Sequence, residues 1–338
     1  MFCHIKDLQF DARVSEPDPR FASILLEQFG GANGELKACM QYFVQAFGCR
    51  YAFPEKYDML MDIASEEMSH LEVVGSLITM LLDGVNGELK DAANAVEWNK
   101  IMSGGKEQKE DFIHEAVMNP QFLALTGGGP RLTDSQGTPW SGSYVNANGD
   151  LSVDLRSDIA AESRAKIVYE YLMQFTDDPD VKDTLGFLMT REVSHMNMFR
   201  AALDTVDENF PPGVLKEDPR YSHKYFNMSD GEDVRGPWND GQGPWEQGEE
   251  WDYIDDPVEQ VTRTKGQRKT DTKGSKKSVD DVTDENKNLS KKKSDQIKQS
   301  MPKNGKGWSD YKRRSQGPTQ STVTRSESSD DESQQRPS

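Results

Sequence analysis

The sequence predicts an all-α fold, a four-helix bundle with one long crossover connection. Four stretches repeat apolar residues at helical spacing, and they form two pairs: residues 21–47 with 55–82, and residues 155–175 with 180–203. A long segment of irregular composition, residues 84–155, separates the pairs. Two antiparallel hairpins joined in this way are typical of a bundle with one crossover.

Glycine, proline and capping residues indicate where the predicted helices begin or are interrupted. Residues 21–47 contain a Gly-Gly interruption but keep one apolar stripe, so we expect a single helix there. Pro54 marks the start of the second stretch. Before the fourth stretch, the triplet Asp177-Asp178-Pro179 supplies a helix cap and a first-turn proline.

Composition divides the chain into three regions. The bundle occupies residues 1–206, and its irregular excursion, 84–155, is of the kind that covers a functional site or an interface. Residues 207–257 are rich in Pro, Gly, Asp and Trp, and we expect an extended arm that packs on a neighbouring subunit. Residues 258–338 are mostly polar, and we expect a disordered tail because they bury too little apolar surface.

The formal charge of −18 is unevenly distributed. Residues 258–338 carry 19 Lys and Arg against 12 Asp and Glu, a net of +7, which leaves −25 for residues 1–257. An acidic body argues against nucleic acid as a partner, since phosphate binding needs a basic face. The basic tail by itself indicates no partner.

The cysteines and the hydropathy of the chain indicate in which cellular compartment the protein is expected. Cys3, Cys39 and Cys49 lack metal-type C-x-x-C spacing and are expected to be reduced thiols. The longest apolar run, Leu71–Leu82, is too short to span a bilayer, and the first residues lack the pattern of a signal peptide. We therefore expect a soluble, cytoplasmic protein with no membrane partner.

Both predicted hairpins carry the same acidic and imidazole pattern, a Glu in the first helix and Glu-x-x-His in the second. The residues are Glu35 with Glu67 and His70, and Glu162 with Glu192 and His195. Each glutamate lies 12 or 13 residues from its hairpin turn, or about 20 Å along a helix. All four glutamates can therefore meet in one layer.

This layer predicts a pair of metal ions. Glu and His three residues apart share one helix face, and their apolar flanks indicate that this face points inward. Four buried carboxylates need cations, because an isolated buried charge costs many kcal/mol. Carboxylate oxygens with one imidazole per metal suit manganese or iron. The spacing alone leaves open peroxide chemistry, an oxidase and an iron store.

At these residues the sequence resembles the manganese catalases, the non-haem family of the ferritin-like superfamily. The likeness covers roughly residues 1–240 and rests on long motifs in order: MFCHIKDLQF, FGGANGELKACMQYF, MDIASEEMSHLE, SGSYVNANGD, DLRSDIAAESRAKIVYE and FLMTREVSHMNMF. It implies a ferritin-like fold and the dismutation of hydrogen peroxide to water and oxygen. It also implies two manganese ions per subunit, which cycle between the divalent and trivalent pairs, and a homo-oligomer, commonly a hexamer.

The resemblance also implies a role for each site residue. Five residues become manganese ligands: Glu35, Glu67, His70, Glu162 and His195. Glu67 would bridge the metals. The helix spacing alone would make Glu192 a fourth carboxylate ligand. The resemblance implies instead that Glu192 is the acid/base group that moves protons for peroxide. Tyr42 matches a tyrosine that closes over the cluster, although an ordinary core tyrosine fits the sequence equally well.

Two further features follow from the resemblance. Ala161 stands where some members have an arginine, so we do not expect a guanidinium to control access to the cluster. A calcium site shared between subunits is implied at Asp58, Asp62, Asn227, Ser229 and Gly231. Oxygen ligands of these types suit calcium. The alternative is a solvated acidic face and a turn.

Two other functions fit the same bundle. One is a di-iron oxidase or peroxidase. The other is a structural coat or storage component, for example of a spore, in which the tail tethers the body to other chains.

Overall fold

The computed structural model describes residues 4–83, 129–206, 213, 215–218, 220–229, 236, 251–264 and 279–300. The α-helices in these residues are α1 Pro19–Gly30, α2 Glu35–Cys49, α3 Pro54–Leu81, α4 Leu151–Leu172, α5 Pro179–Asp204, α6 Pro257–Thr264 and α7 Val279–Ser300. A turn of 3-10 helix spans Gly142–Tyr144, and strand β1 Lys224–Phe226 pairs in parallel with β2 Asp252–Ile254. None of the described helices is both long and apolar enough to cross a bilayer.

Helices α2 to α5 form the predicted four-helix bundle. Helix α2 packs on α3 and α4 packs on α5, as two hairpins. The start of α5 is as predicted: the Asp178 carboxylate accepts hydrogen bonds from the backbone N–H groups of Asp180 and Val181, and Pro179 occupies the first turn. Ser15 donates through both its backbone N–H and its hydroxyl to Asp178, so the N-terminal segment is fixed to the α4–α5 turn.

The prediction of one helix over residues 21–47 is wrong, because the chain forms α1 and α2 with a break between them. Gly31 leaves the helical conformation at φ −75° and ψ 168°, and Gly34 precedes the first residue of α2. Glu35 is therefore the first residue of α2 and does not lie mid-helix. Its height in the bundle is still as predicted, since that count used only the residues between Glu35 and the hairpin turn.

The glycines at this break allow the described part of the excursion to approach closely. A Cβ on Gly30 would lie 2.6 Å from the backbone nitrogen of Thr133. Next to this contact, the backbone N–H and hydroxyl of Ser135 donate to the Glu27 carboxylate at 3.2 and 2.7 Å. The excursion thus packs against the junction from which Glu35 projects. Residues 84–128 of the excursion lie outside the described residues.

Two apolar clusters fill the bundle, one on each side of a polar layer. The first cluster includes Phe21, Leu25, Val73, Leu77, Tyr169, Val181 and Leu188. The second includes Ala38, Tyr42, Leu60, Ile63, Leu155 and Phe199. Along α3 the order is second cluster, Glu67 and His70, first cluster, and along α5 it is first cluster, Glu192 and His195, second cluster. The Glu and His side chains are therefore held between two apolar blocks.

The prediction of a disordered tail over residues 258–338 is wrong for α6 and α7, which are helical. Charge order explains α7: its sequence is acidic in the first half and basic in the second, which complements the helix dipole. Asp284 pairs with Lys287 at 3.0 Å, one turn away. The Asn286 side chain also bonds both the backbone N–H and the carbonyl of Lys216. Residues 265–278 and 301–338 lie outside the described residues.

The described part of the arm is organised by β1 and β2. The Tyr225 and Tyr253 rings stack across the strands with centroids 5.8 Å apart. The Trp251 ring meets His223 edge-on at 5.3 Å. Packing of the arm on a neighbouring subunit stays a prediction.

Candidate metal centre

The six predicted Glu and His residues meet in the layer between the apolar clusters. Each has at most 1% of its surface exposed: Glu35, Glu67, His70, Glu162, Glu192 and His195. They come from α2, α3, α4 and α5. The prediction from spacing that these side chains share one layer is confirmed.

Glu67 lies at the centre of this layer, and its two oxygens face different histidines. Its Oε2 lies 3.3 Å from His70 Nδ1, and its Oε1 lies 2.6 Å from His195 Nδ1. The two imidazole rings are stacked with centroids 5.5 Å apart. Glu67 is thus the carboxylate that two imidazole positions share.

Each histidine also has a carboxylate of its own. Glu35 Oε2 lies 3.6 Å from His70 Nδ1, and Glu162 Oε2 lies 3.9 Å from His195 Nδ1. The donors therefore form two sets, each with one imidazole and one terminal carboxylate, and Glu67 belongs to both. Such a pair of sets suits two adjacent metal ions.

Two buried tyrosines hold the far oxygens of the terminal carboxylates. Tyr42 donates to Glu162 Oε1, and Tyr169 donates to Glu35 Oε1. Tyr42 therefore contacts a predicted ligand, as expected of a tyrosine at the cluster. Tyr169 was missed, although its signal is in the sequence: it lies seven residues after Glu162, as Tyr42 lies seven after Glu35.

Glu192 lies beside the first donor set. Its Oε1 is 3.8 Å from His70 Nδ1. Neither of its oxygens has a hydrogen-bond partner among the described residues. The geometry accommodates Glu192 as a ligand or as an acid/base group, so its role stays a prediction.

A further carboxylate, Glu66, lies behind both histidines. Its oxygens are 3.6 Å from His70 Nε2 and 3.0 Å from His195 Nε2. Arg191 binds the same carboxylate through Nε at 2.7 Å and Nη2 at 3.3 Å, and Gln9 donates to it at 2.9 Å. A carboxylate on the outer nitrogen fixes the orientation of a metal-binding imidazole. Sequence reasoning missed Glu66 and Arg191, which immediately precede the two Glu-x-x-His motifs.

Burial and mutual repulsion set the proton content of the glutamates. Burial, together with the charge of Glu67, raises the pKa of Glu35 and that of Glu162 to about 8. The pKa of Glu192 is raised well above its ordinary value by burial and by the charges of Glu35, Glu67 and Glu162. In the metal-free protein Glu35 and Glu162 therefore retain protons near neutral pH, and the pKa of Glu192 is shifted in the same direction.

The histidines act in the opposite sense on Glu67. Burial tends to raise the pKa of Glu67, but the charge of His70 and the contact with His195 hold it below its ordinary value. Burial tends to lower the pKa of His195, but its contacts with Glu66 and Glu67 raise it to about 9. Glu67 is thus the anionic centre of the cluster, and protons on its neighbours offset its charge.

The donor atoms fit a metal pair. Two oxygens that face the centre of the layer have no hydrogen-bond partner among the described residues: Glu35 Oε2 and Glu162 Oε2. Two groups of buried Glu and His residues offer ligand atoms within 4.8 Å of one another: Glu67 with His70 and His195, and Glu35 with Glu67, His70 and Glu192. Buried, unpaired oxygens with one imidazole each are the donor set that manganese or iron takes.

For the predicted calcium site, no hydrogen bond or ion pair among the described residues joins the two aspartates on α3 to the turn that contains Asn227 and Ser229. Asp58 and Asp62 are exposed on α3, and neither belongs to those metal-binding groups. Asn227 Oδ1 accepts from the Ser229 backbone N–H at 3.2 Å, and Asn227 Nδ2 donates to Asp255 at 3.4 Å. Gly231 lies outside the described residues, so the calcium site stays a prediction.

Comparison with known proteins gives the family. Residues 1–294 match the model of the manganese containing catalases. The chain belongs to the manganese-containing catalase family. The match runs past residue 240, where the sequence motifs ended, and past residue 258, so the prediction that the tail lies outside the family resemblance is wrong up to residue 294.

Individual members of the manganese catalase family resemble the chain over most of their length. An uncharacterized protein of Bacillus subtilis strain 168, YjqC, is 35% identical over 272 residues, which cover 76% of this chain and 91% of YjqC. A manganese catalase of the same strain is 34% identical over 264 residues, covering 75% of this chain and 90% of the relative. The crystal structure of wild-type KatB, a manganese catalase from Anabaena, is 38% identical with a TM-score of 0.57 and covers 75% of this chain and 99% of KatB. The ferritin-like fold and the assignment as a manganese catalase family enzyme are confirmed.

Proposed function

We propose that the chain dismutates hydrogen peroxide to water and oxygen at a pair of manganese ions. The proposed ligands are Glu35, Glu67, His70, Glu162 and His195. The observation that carries the proposal is the position of Glu67, whose two oxygens face the Nδ1 atoms of two stacked histidines. Family membership supports manganese as the metal and peroxide as the substrate.

When bound, the manganese pair would supply two-electron redox chemistry by alternating between the divalent and trivalent states. The protein's own groups would prepare the site for it. Tyr42 and Tyr169 hold one oxygen of each terminal glutamate, which leaves the other oxygen facing the centre. Glu66 holds the outer nitrogens of both histidines. The apolar clusters on either side limit water around the layer.

Proton balance gives Glu192 its proposed role. Oxidation of one peroxide to oxygen releases two electrons and two protons, and reduction of a second peroxide to two waters takes up both. Glu192 is buried beside His70, and burial together with the charges of the neighbouring glutamates raises its pKa well above its ordinary value in the metal-free protein. It would therefore give a proton to the peroxide that is reduced and regain one from the peroxide that is oxidised.

Oxygen release measured together with metal content tests this function. We expect purified protein with about two manganese ions per subunit to release one oxygen for every two peroxides consumed, without inhibition by haem poisons. An iron-loaded protein that consumes peroxide without releasing oxygen would support the di-iron peroxidase instead.

We also propose that the chain forms a homo-oligomer in the cytoplasm, with the hexamer as the expected form. Apolar side chains exposed on α2 and just after its end support an interface there: Val44 at 41% and Phe47 at 47% exposure on α2, and Tyr51 at 38% after it. The free, buried thiols of Cys39 and Cys49 suit a reducing compartment. The molar mass measured by light scattering after size-exclusion chromatography distinguishes a hexamer from a monomer.

A further inference from the structure

A row of buried polar residues runs between α2 and α4, away from the metal layer. The α2 side presents a residue every fourth position, and so does the α4 side; we call these residues the polar seam: Lys37, Gln41 and Gln45 with Asp154, Asp158 and Glu162. None of them is more than 3% exposed. Residues four apart lie on one face of a helix, so the seam follows both helices from the cluster toward the start of α4.

Hydrogen bonds connect the seam to the surface. Gln41 Nε2 donates to Asp158 Oδ1 at 2.7 Å, and Gln41 Oε1 accepts from the backbone N–H of Asn146 at 3.1 Å. Gln45 Nε2 donates to the carbonyl oxygen of Asn146 at 2.7 Å. Asn146 itself is exposed. The inner end of the seam is Glu162, which accepts the hydrogen bond of Tyr42.

Four polar atoms inside the seam have no hydrogen-bond partner among the described residues: Asp158 Oδ2, Gln45 Oε1, Lys37 Nζ and Glu162 Oε2. Each belongs to a side chain that is at most 3% exposed. An unpaired buried polar group destabilises the fold, and more so if it is charged. A polar cavity that offers donors and acceptors together is the kind of place where ordered water binds.

Asp158 is the group in the seam suited to hold a proton. It lies one helical turn from Glu162, or about 6 Å along α4. Its charged neighbours are Glu162 and Asp154 on α4 and Lys37 on α2. Burial, with the charges of Glu162 and Asp154, raises the pKa of Asp158 well above its ordinary value, against the effect of the Gln41 and Gln45 amides.

We propose that the polar seam is a hydrated proton path to the metal layer, and that Asp158 holds the second of the two protons that each peroxide cycle moves. Asp158 acts through water in the seam and does not touch peroxide, so it is a positioning residue for the proton. Its carboxylic acid gives a proton to the peroxide that is reduced, and its carboxylate regains one from the peroxide that is oxidised. The electrons go to and from the manganese pair, so this role rests on the proposed function.

The variant Asp158→Asn tests the role, because asparagine keeps the oxygen that accepts from Gln41 but cannot release a proton. We expect unchanged manganese content, an unchanged melting temperature and a kcat per bound manganese that falls on the order of 100-fold. The solvent deuterium isotope effect on kcat should increase. Asp183→Asn, an exposed acid on α5, is the control and should change none of these.

Infrared difference spectra provide a measurement that does not depend on turnover. The wild-type spectrum minus the Asp158→Asn spectrum should contain the band of one protonated, buried carboxylic acid, in metal-free and in manganese-loaded protein. The bands of the glutamates in the metal layer cancel in this difference, because both proteins contain them. This measurement does not require oxygen release. If the wild-type protein released no oxygen, the proposed function would be contradicted, but the infrared band would still show whether Asp158 holds a proton.

Three results would overturn the proposal: kcat per manganese that stays at the wild-type value, activity that falls only in proportion to lost manganese, or an infrared difference spectrum without a carboxylic acid band. If Asp158→Asn does not fold, Gln45→Met decides the matter. It replaces a buried amide, whose Nε2 donates to the Asn146 carbonyl and whose Oε1 has no partner among the described residues, with an apolar group of similar size. Asp158 stays in place. A slower kcat with normal manganese content supports the path, and an unchanged kcat contradicts it.

Discussion

At the scale of single residues, the repeated Glu and Glu-x-x-His pattern was enough to predict the six groups at the centre. It succeeded because residues three apart on a helix share a face and because equal distances from the two turns give equal heights. It missed Tyr169, although Tyr169 and Tyr42 each follow a glutamate of the pattern by seven residues. It also missed Glu66 and Arg191, which pair with each other across α3 and α5. That contact depends on the rotation of each helix about its axis, which spacing within one helix does not define.

Glu192→Gln separates the acid/base role from a ligand role. Glutamine keeps the size of the side chain but cannot carry the proton, so kcat should fall by about 10²- to 10⁴-fold while manganese content stays at the wild-type level. Metal analysis and oxygen release on the same sample check this. Loss of manganese from one position would show that Glu192 is a ligand, and Glu67→Gln provides the comparison for lost metal.

Glu66→Gln tests the fixing of both histidines by one carboxylate. We expect manganese affinity to fall about 10- to 100-fold, because the outer nitrogens of His70 and His195 lose their anionic partner. Competition with a chelator measures the change. Glu55→Gln, an exposed position at the start of α3, should bind manganese as tightly as wild type, and equal affinity in Glu66→Gln would remove Glu66 from the metal site.

At the scale of elements, the α1–α2 break shows why an apolar stripe overestimates helix length. The stripe continues across the break because α1 and α2 both face the core, but the Gly-rich junction admits the backbone of the excursion. Helix starts at proline were predicted well, since Pro54 and Pro179 fit only the first turn. The helices α6 and α7 were missed because few of their residues are apolar.

Gly30→Ala tests the close approach at this break. The new methyl group would lie 2.6 Å from the Thr133 backbone, which cannot move like a flexible side chain, so we expect a loss of about 1–3 kcal/mol. That loss corresponds to a melting temperature lower by roughly 2–12 °C. Gly186→Ala is the matched control: it lies within α5 with nothing within 4 Å, and it should be neutral or stabilising.

At the scale of the whole molecule, metal binding and stability are linked through protons. The folded-state pKa of Glu35 and Glu162 is raised to about 8, so between about pH 4.5 and 8 the folded metal-free protein binds more protons than the unfolded chain. His195, raised to about 9, acts in the same direction above about pH 6.5. The contribution of these three groups to the free energy of unfolding of the metal-free protein therefore falls as pH rises.

The melting temperatures of manganese-loaded and metal-free protein should consequently diverge as pH rises from about 5 to 8. Bound metal needs deprotonated ligands, so manganese stabilises more at the higher pH. The difference between two forms of one chain cancels the titration of exposed groups. A difference that is constant or narrows with pH would contradict the proton content derived for the cluster.

In the tail, composition alone did not predict the helices that the structure contains. Low hydrophobicity predicted disorder over residues 258–338, but the order of charges along α7 favours a helix without a large apolar face. The all-α bundle was predicted from periodicity, which depends on burial in the core. Elements stabilised by charge order and by single contacts, such as Asn286 with Lys216, leave no such pattern.

Diffraction from manganese-loaded crystals on either side of the manganese absorption edge tests the central claim most directly. We expect two anomalous peaks in each chain, one between Glu35, Glu67 and His70 and the other between Glu67, Glu162 and His195. Glu67 should contact both peaks and Glu192 neither. A single peak, a signal at the iron edge only, or metal bound by Glu192 in place of Glu67 would contradict the account.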